Sequence, residues 1–502
     1  MSNDAEEPQG PDLTQGVSAA DVPEGGKLVG RVGEDAVLVA RVEGELHAIG
    51  AHCTHYHGPL GDGLLVGHTV RCPWHHARFC LRTGEALAAP AIDPVSRWAV
   101  EEREGKVYVT AAAEAAPPKP KRTGPRRVLI AGGGAAGFAA AEMLRREGFD
   151  GEVTIVSNDA TAPYDRPNCS KDYLAGEAPA EWMPLRGDDW YGDNAIDLKL
   201  KTEIAALDIR ARTATLKAGQ SLAWDALMIA TGAEPLRPPI PGFDGPRVLT
   251  LRSLADADAI IAAAEGAKRV AVVGASFIGL EAAAALRHRG LEVHVAAPEA
   301  IPLARILGDD IGRWVRRLHE DAGVIFHLGR KVVGFADSRL ALDEGEIEAD
   351  LVVAGMGVRP RVALAAAAGL MVDNGIVVDA QLSAAPNVYA AGDVARYPDP
   401  HTGQAIRVEH WVHAERQGQH VARAILGDPS PYRDTPFFWS VHQGQTINYV
   451  GHAEAFDPPT IEGSLDEGNA AVVLGRAGRR LALATVGRDL ESLKAGLAFE
   501  RA

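Results

Sequence analysis

The sequence predicts a multidomain chain: a small all-β domain first, then two α/β domains, then a C-terminal α+β domain. Three observations predict it. Short alternating runs such as KLVGRV, AVLVARV and KVYVT, broken by glycine every few residues, mark antiparallel strands over roughly residues 20–112. From Arg127 apolar strands alternate with Ala-rich helical stretches, as in a parallel sheet covered by helices. A strand, glycine loop and helix begin at Val128 and again at Val270. A length of 502 residues also exceeds what one hydrophobic core serves.

Composition sets the boundaries. Residues 1–19 start with Asp4, Glu6, Glu7 and Asp12, an acidic flexible tail. The β domain takes 20–112, and 113–126, with four prolines and a basic cluster, reads as a semi-rigid linker. The first glycine loop heads a domain over 127–246 and 353–425, and the second heads one over 247–352. Strand-like runs (TINYVGHAEA, AAVVLGRA, LALATVG) then give a C-terminal domain over 426–502.

Charge and cysteine usage narrow the function. A net charge of −16 repels phosphate backbones, so nucleic acid is not an expected partner. No eighteen apolar residues run unbroken, so no membrane span is expected. Four cysteines are too few for a disulfide scaffold, and with an acidic, Arg-free start they point to a reducing, cytoplasmic setting.

Two loops carry metal chemistry: Cys53-Thr-His55-Tyr-His-Gly-Pro-Leu and Cys72-Pro-Trp-His75-His-Ala-Arg-Phe. Each supplies one thiolate and one imidazole, the set of a Rieske [2Fe–2S] centre, where the cysteines hold one iron and the histidines the other. The competitor is structural zinc, which groups Cys with Cys and His with His. His52, His57, His68 and His76 are off-register for ligation, and Cys80 reads as a small buried hydrophobe.

The glycine loops carry nucleotide chemistry. Gly132-x-Gly134-Ala135-Ala136-Gly137 follows an apolar strand and opens a helix, placing backbone amides toward a pyrophosphate. Asp159 follows the next strand, where a ribose-binding carboxylate belongs. The second loop reads Gly274-Ala-Ser276-Phe277-Ile278-Gly279, with serine in place of the middle glycine. Glu299 lies twenty residues beyond Gly279, and a carboxylate there favours NADH over NADPH, a preference that Arg305 nearby moderates. Two such Rossmann-type modules in one chain imply a flavin and a nicotinamide.

The cluster loops resemble the Rieske ferredoxins of bacterial oxygenase systems. They resemble the respiratory-chain proteins less, since Gly58 and Trp74 stand where those have a disulfide. From Arg127 the chain resembles the flavoprotein reductases related to ferredoxin reductases and to apoptosis-inducing factor, above all the apoptosis-inducing-factor-like proteins with an amino-terminal Rieske domain. The stretches APYDRPNCSKDYLAG, LMIATGAEP, LVVAGMGVRP, NVYAAGDVA, RVEHWVHAERQG and PFFWSVHQGQTINYVGHAE carry that resemblance.

It implies roles by position. Ala230-Thr231-Gly232 would mark the exit from the flavin domain, and Gly392-Asp393 would hold the FAD diphosphate and ribityl chain. Arg166 and Lys171 would line the flavin, with Lys171 paired to Glu281 and Trp411 covering the acceptor side. Gly357, Glu409 and His410 join the cofactor-binding set. Cys169 stands alone, so a dithiol relay is excluded. The activity implied is that of an FAD-dependent NAD(P)H oxidoreductase, monomeric or homodimeric, passing electrons through its own cluster to an oxygenase, cytochrome or ferredoxin-type acceptor. The alternatives are a slowly turning redox-responsive signalling flavoprotein and an NADH oxidase or quinone reductase.

Overall fold

The computed structural model describes residues 10–114, 117 and 119–502. Asp4, Glu6 and Glu7 of the expected tail, and linker positions 115, 116 and 118, lie outside the described residues. The chain divides into two compact units.

The first unit comprises Met1–Arg122, Arg146–Phe149 and Asp489–Ala502. Its six-stranded antiparallel sheet runs, in spatial order, Val17–Ser18, Lys106–Ala112, Arg97–Arg103, Glu45–Gly50, Asp35–Val42 and Lys27–Val32. A four-stranded sheet of Leu64–Val66, Thr69–Arg71, Arg78–Cys80 and Ala86–Ala88 completes it. The run AVLVARV explains the layering, because alternate residues of a strand point to opposite faces. Val37 and Val39 enter a core with Leu13, Val17 and Trp98, while Leu38, Ala40 and Val42 enter another with Ile49 and Phe79.

The structure departs from four sequence expectations here. Leu13 is fully buried and Val17 nearly so, and Val17 pairs with Val107, so the folded part begins inside the expected tail. The described end of the expected linker is anchored: Lys119 pairs with Glu85 and Glu147, and the Arg122 amide bonds the Gly148 carbonyl. The last helix, Asp489–Arg501, belongs with the first unit rather than with the C-terminal sheet, because it buries Leu493 and Phe499 and ion-pairs Glu500 with Arg71 and Arg78. Cys80, expected buried, is half-buried.

The second unit holds two α/β sheets. One orders Ile196–Lys199, Glu152–Val156, Arg127–Ala131, Ala226–Ile229, Val388–Ala390 and Ser383–Ala385, parallel except for the last strand. The other is a parallel sheet of Val248–Thr250, Leu351–Ala354, Arg269–Val273, Glu292–Ala297 and Ile325–Leu328. Their central strands VLIA and VAVV are buried on both faces, which requires continuous apolar runs. An antiparallel five-stranded sheet spans Phe437 to Val486. No helix among the described residues is long and apolar enough to cross a membrane.

Candidate functional site

The two cluster loops share one backbone scaffold. The Cys53 amide bonds the Gly58 carbonyl at 2.8 Å, and the His57 amide bonds the Cys53 carbonyl at 3.0 Å. The Cys72 amide bonds Ala77 at 2.8 Å, and the His76 amide bonds Cys72 at 3.2 Å. Both turns close on a left-handed histidine, His57 at φ 57° and His76 at φ 61°. Those two histidines therefore serve the turn, while His55 and His75 face each other with Nδ1 atoms 3.2 Å apart. Tyr56 stacks on the His55 ring at 3.9 Å.

Cys53 and Cys72 are buried, and a hydrogen bond between them raises the Cys53 thiol and lowers that of Cys72. Two close sulfurs sharing a proton and two converging imidazole nitrogens suit ligation of two irons, one by each pair. A β-carbon on Gly58 would come within 2.7 Å of Cys72 Sγ and 3.2 Å of Trp74, so glycine keeps that sulfur clear. The residues fit a [2Fe–2S] group.

In the first nucleotide loop the glycines have separate reasons. At Gly132, with φ +124°, a β-carbon would lie 2.1 Å from the Ala230 carbonyl oxygen, and at Gly137 one would lie 1.9 Å from the Gly132 carbonyl oxygen. Gly134 is different: its β-carbon would meet only the Arg166 guanidinium, at 4.0 Å. That open side is where a ligand's diphosphate can approach the backbone. Arg166 donates to the Arg252 carbonyl at 2.7 Å, Arg252 pairs with buried Asp393, and Arg252 Nε is buried without a partner. A glycine cradle beside two guanidinium groups, one with a buried Nε left over, fits FAD. Ala135, Ala136 and Gly137 form the helix start, with Gly392 packed against Ala136. Asp159 accepts from Tyr164 OH at 3.0 Å and from Thr161, which ties it into its own loop. Thr231 donates to the Arg361 carbonyl at 2.9 Å, Gly232 sits at φ +66°, and Glu409 pairs with Arg407.

In the second loop Ser276 accounts for its departure from glycine. Its hydroxyl donates to the Gly355 carbonyl at 3.1 Å and caps the Gly279 amide, starting the helix Phe277–His288. Gly274 (φ +108°) and Gly279 would clash with Gly355 and Gly274 if substituted. Gly357, at φ +89°, is open except for Leu236 at 3.7 Å. Ile278 and Glu299 are exposed, and Glu299 follows the strand Glu292–Ala297. An open face of this kind suits NAD(P)H.

Lys171 and Glu281 form an ion pair. Lys171 Nζ donates to Glu281 Oε2 at 2.8 Å; Ser170 and Ser440 hydroxyls donate to the same carboxylate at 2.6 Å each. Glu281 is 3% exposed, and three donors satisfy its charge. The aromatic ring near Lys171 is Trp439, at 5.8 Å, within cation–π range. Trp411 instead hydrogen-bonds Glu415, whose carboxyl burial pushes well up. His410 packs on Phe438 at 4.4 Å, with its Nδ1 buried and unpartnered.

Comparison with known proteins agrees with this layout. Residues 126–418 match the pyridine nucleotide-disulphide oxidoreductase model, and residues 15–99 match the Rieske [2Fe-2S] domain. The chain belongs to the pyridine nucleotide-disulphide oxidoreductase family. Apoptosis-inducing factor 3 of Homo sapiens is 30% identical over 91% of this chain and 79% of its own length. Rhodocoxin reductase of Rhodococcus erythropolis is 35% identical over 73% of this chain and 88% of its own. The solved covalent putidaredoxin reductase–putidaredoxin complex superposes with a TM-score of 0.73 at 31% identity, covering 76% of this chain and 94% of that one.

The protein is thus an FAD-dependent NAD(P)H oxidoreductase, similar to ferredoxin reductases, with a Rieske [2Fe–2S] domain. Unlike the disulphide in the family's name, its Cys169 has no cysteine beside it, and burial raises that thiol to about 12. Ser170, Ser440, Trp439, Arg252 and His442 are the site residues that sequence reasoning missed. The quoted stretches SK and FWSVHQ contain four of them, but only the fold brings them to the Lys171 and Glu281 pair.

Proposed function

We propose that the chain oxidises NADH at its flavin site and delivers the electrons through its own Rieske domain to an external electron-transfer protein. The buried Lys171 and Glu281 pair, in the same chain as the Cys53, His55, Cys72 and His75 set, carries this reading. When bound, FAD accepts a hydride as a two-electron unit, and a Rieske cluster passes electrons singly.

The chain's own residues divide the work. Lys171 supplies positive charge where reduction develops negative charge, and Glu281 holds it in place. Gly132, Gly134, Ala135, Ala136 and Gly137 seat the diphosphate, with Arg166 and Arg252 beside it and Gly392, Asp393, Thr231 and Gly232 along the ribityl chain. Gly274, Ser276, Gly279 and Gly357 receive the nicotinamide dinucleotide, and Glu299 selects NADH by accepting from a ribose hydroxyl. Trp411, His410 and Glu409 line the acceptor side. Relatives named as reductases of rhodocoxin and putidaredoxin match about the part of the chain outside the Rieske domain. Here that domain stands in the ferredoxin's place, so a bimolecular encounter becomes intramolecular. The terminal acceptor is then an oxygenase or a cytochrome, met in a reducing, cytoplasmic compartment.

The test is anaerobic titration of the loaded protein with one equivalent of NADH, read by optical and EPR spectra. Prompt reduction of both flavin and Rieske signals is expected. Bleaching of the flavin alone, with a persistent charge-transfer band, would overturn the internal transfer and favour the signalling alternative.

A further inference from the structure

The second unit contains a line of buried polar groups that the reading above does not use. Ser440 Oγ donates to Glu281 Oε1 at 2.6 Å and lies 3.1 Å from His442 Nε2. His442 Nδ1 lies 3.2 Å from His319 Nε2. Ser440 is 1% exposed, and both histidines are fully buried. These side chains come from the strand Phe437–His442 and the helix Asp309–Asp321, far in sequence from Glu281.

The proton positions in this line follow from its end group. A carboxylate only accepts, so the Ser440 hydroxyl proton points at Glu281. Ser440 Oγ then has only lone pairs for His442, which must donate from Nε2. Neutral His442 therefore accepts at Nδ1, and His319 donates to it from Nε2. His319 Nδ1 is left as an acceptor, buried and without a partner. Burial, reinforced by Lys171, holds His442 down at about 3, and burial with His442 does the same for His319, so each ring carries one proton. The charged and titratable groups facing the line are Lys171 and Glu281, on the flavin side. Every donor in it points the same way.

We propose that His319, His442 and Ser440 form a proton relay that supplies Glu281 from the end of the helix Asp309–Asp321. The proposal rests on reading Lys171 and Glu281 as the flavin-side pair. A hydride alone would leave a flavin anionic beside Lys171, and reaching its neutral fully reduced form takes up one further proton from water, which creates the demand. A proton from water binds His319 Nδ1. The His319 Nε2 proton moves to His442 Nδ1, the His442 Nε2 proton moves to Ser440 Oγ, and the Ser440 hydroxyl proton moves to Glu281 Oε1. One proton enters, one arrives, no electrons move, and both imidazoles end neutral as their other tautomers. Because burial disfavours a standing imidazolium, the transfers are concerted. Entry is at the helix's last turn, where exposed Glu320 and Asp321 adjoin His319 and helix ends fray.

The experiment is stopped-flow anaerobic reduction of the full-length, FAD-loaded protein by NADH, in H₂O and in D₂O. It uses Ser440→Ala, His442→Gln, His319→Gln and Glu281→Gln, since glutamine hydrogen-bonds but does not pass a proton on. Ser440→Ala and His442→Gln are expected to slow flavin reduction about 10- to 100-fold and to remove the solvent isotope effect shown by the parent. FAD content and NAD⁺ affinity should stay unchanged, which a packing defect would not leave alone. Should a histidine variant fail to retain FAD, Ser440→Ala, which removes one oxygen, decides the matter. If Glu281→Gln is slow while Ser440→Ala keeps the parent's rate and isotope effect, the relay is wrong and the pair's role stands. If Glu281→Gln itself matches the parent, the flavin-side reading fails and takes the relay with it.

Discussion

Replacing Glu500 by glutamine should destabilise the Rieske unit, although Glu500 lies 429 residues from its partner Arg71. Its carboxylate accepts from Arg71 Nη1 at 3.0 Å and Nη2 at 2.8 Å, and from Arg78 Nη2 at 2.5 Å. The side chains are 9% (Arg71), 20% (Arg78) and 15% (Glu500) exposed. Removing the charge takes from both guanidinium groups the carboxylate they share, and an amide presents N–H donors to donors. Breaking a fully buried pair costs about 3–5 kcal/mol; with water reaching these edges, about 2–4 kcal/mol is expected. For a unit of this size that lowers its melting temperature by roughly 10–15 °C. The assay follows loss of cluster absorbance and release of flavin fluorescence on one heating ramp. The cluster transition should move while the flavin transition, which reports the second unit, stays within about 2 °C. A cluster transition that does not move would refute the assignment of the last helix to this unit.

Three further predictions concern the cofactor loops and acid stability. Gly134→Ala should leave the apoprotein's stability within about 0.5 kcal/mol, since a β-carbon there meets only the Arg166 tip, while FAD affinity falls about 10-fold or more; Gly137→Ala, 1.9 Å from a carbonyl, should abolish folding of the loop. Isothermal titration of FAD into each variant checks both. Gly58→Ala should lower cluster content, because its methyl would press on Cys72 Sγ; iron and sulfide assays with the Rieske EPR signal read the loss. The second unit should lose stability in acid: His319, His413 and His442 are each held at about 3 by burial, below an unfolded value near 6.5. Their contribution is full above pH 6.5 and is lost as pH falls through the window toward 3, because only the unfolded chain takes up protons there. Three such groups give a slope of up to about 4 kcal/mol per pH unit near pH 5, measurable as urea unfolding free energy against pH. A flat profile between pH 6.5 and 4.5 would refute it.

The parts legible in the sequence were those whose chemistry is local. Cys53 with His55, and Cys72 with His75, are each set by one loop, and the glycine loops declare themselves through a strand before and a helix after. Less visible was what a turn needs. His57 and His76 looked like spare histidines, yet each occupies the left-handed position that closes its ligand loop, at a conformational cost of about 1–2 kcal/mol. Ser276 looked like a defect in a motif, although as a helix cap it replaces the middle glycine with a bond to Gly355. Long-range partners were invisible. No spacing rule links Ser440 or His442 to Glu281, or Trp439 to Lys171.

The last helix bears on how the second Cys–His loop is held. The second Cys–His loop stands on the strands Thr69–Arg71 and Arg78–Cys80, and Arg71 and Arg78, which belong to those strands, both end on Glu500. Ser492 of the same helix lies 3.3 Å from His76, the residue that closes that loop. The strands under the second Cys–His loop are therefore held in part by the helix Asp489–Arg501. The glycine loops, Lys171, Glu281 and Ser440 belong to the second unit. Deleting the helix Asp489–Arg501 would take from Arg71 and Arg78 the carboxylate on which both end.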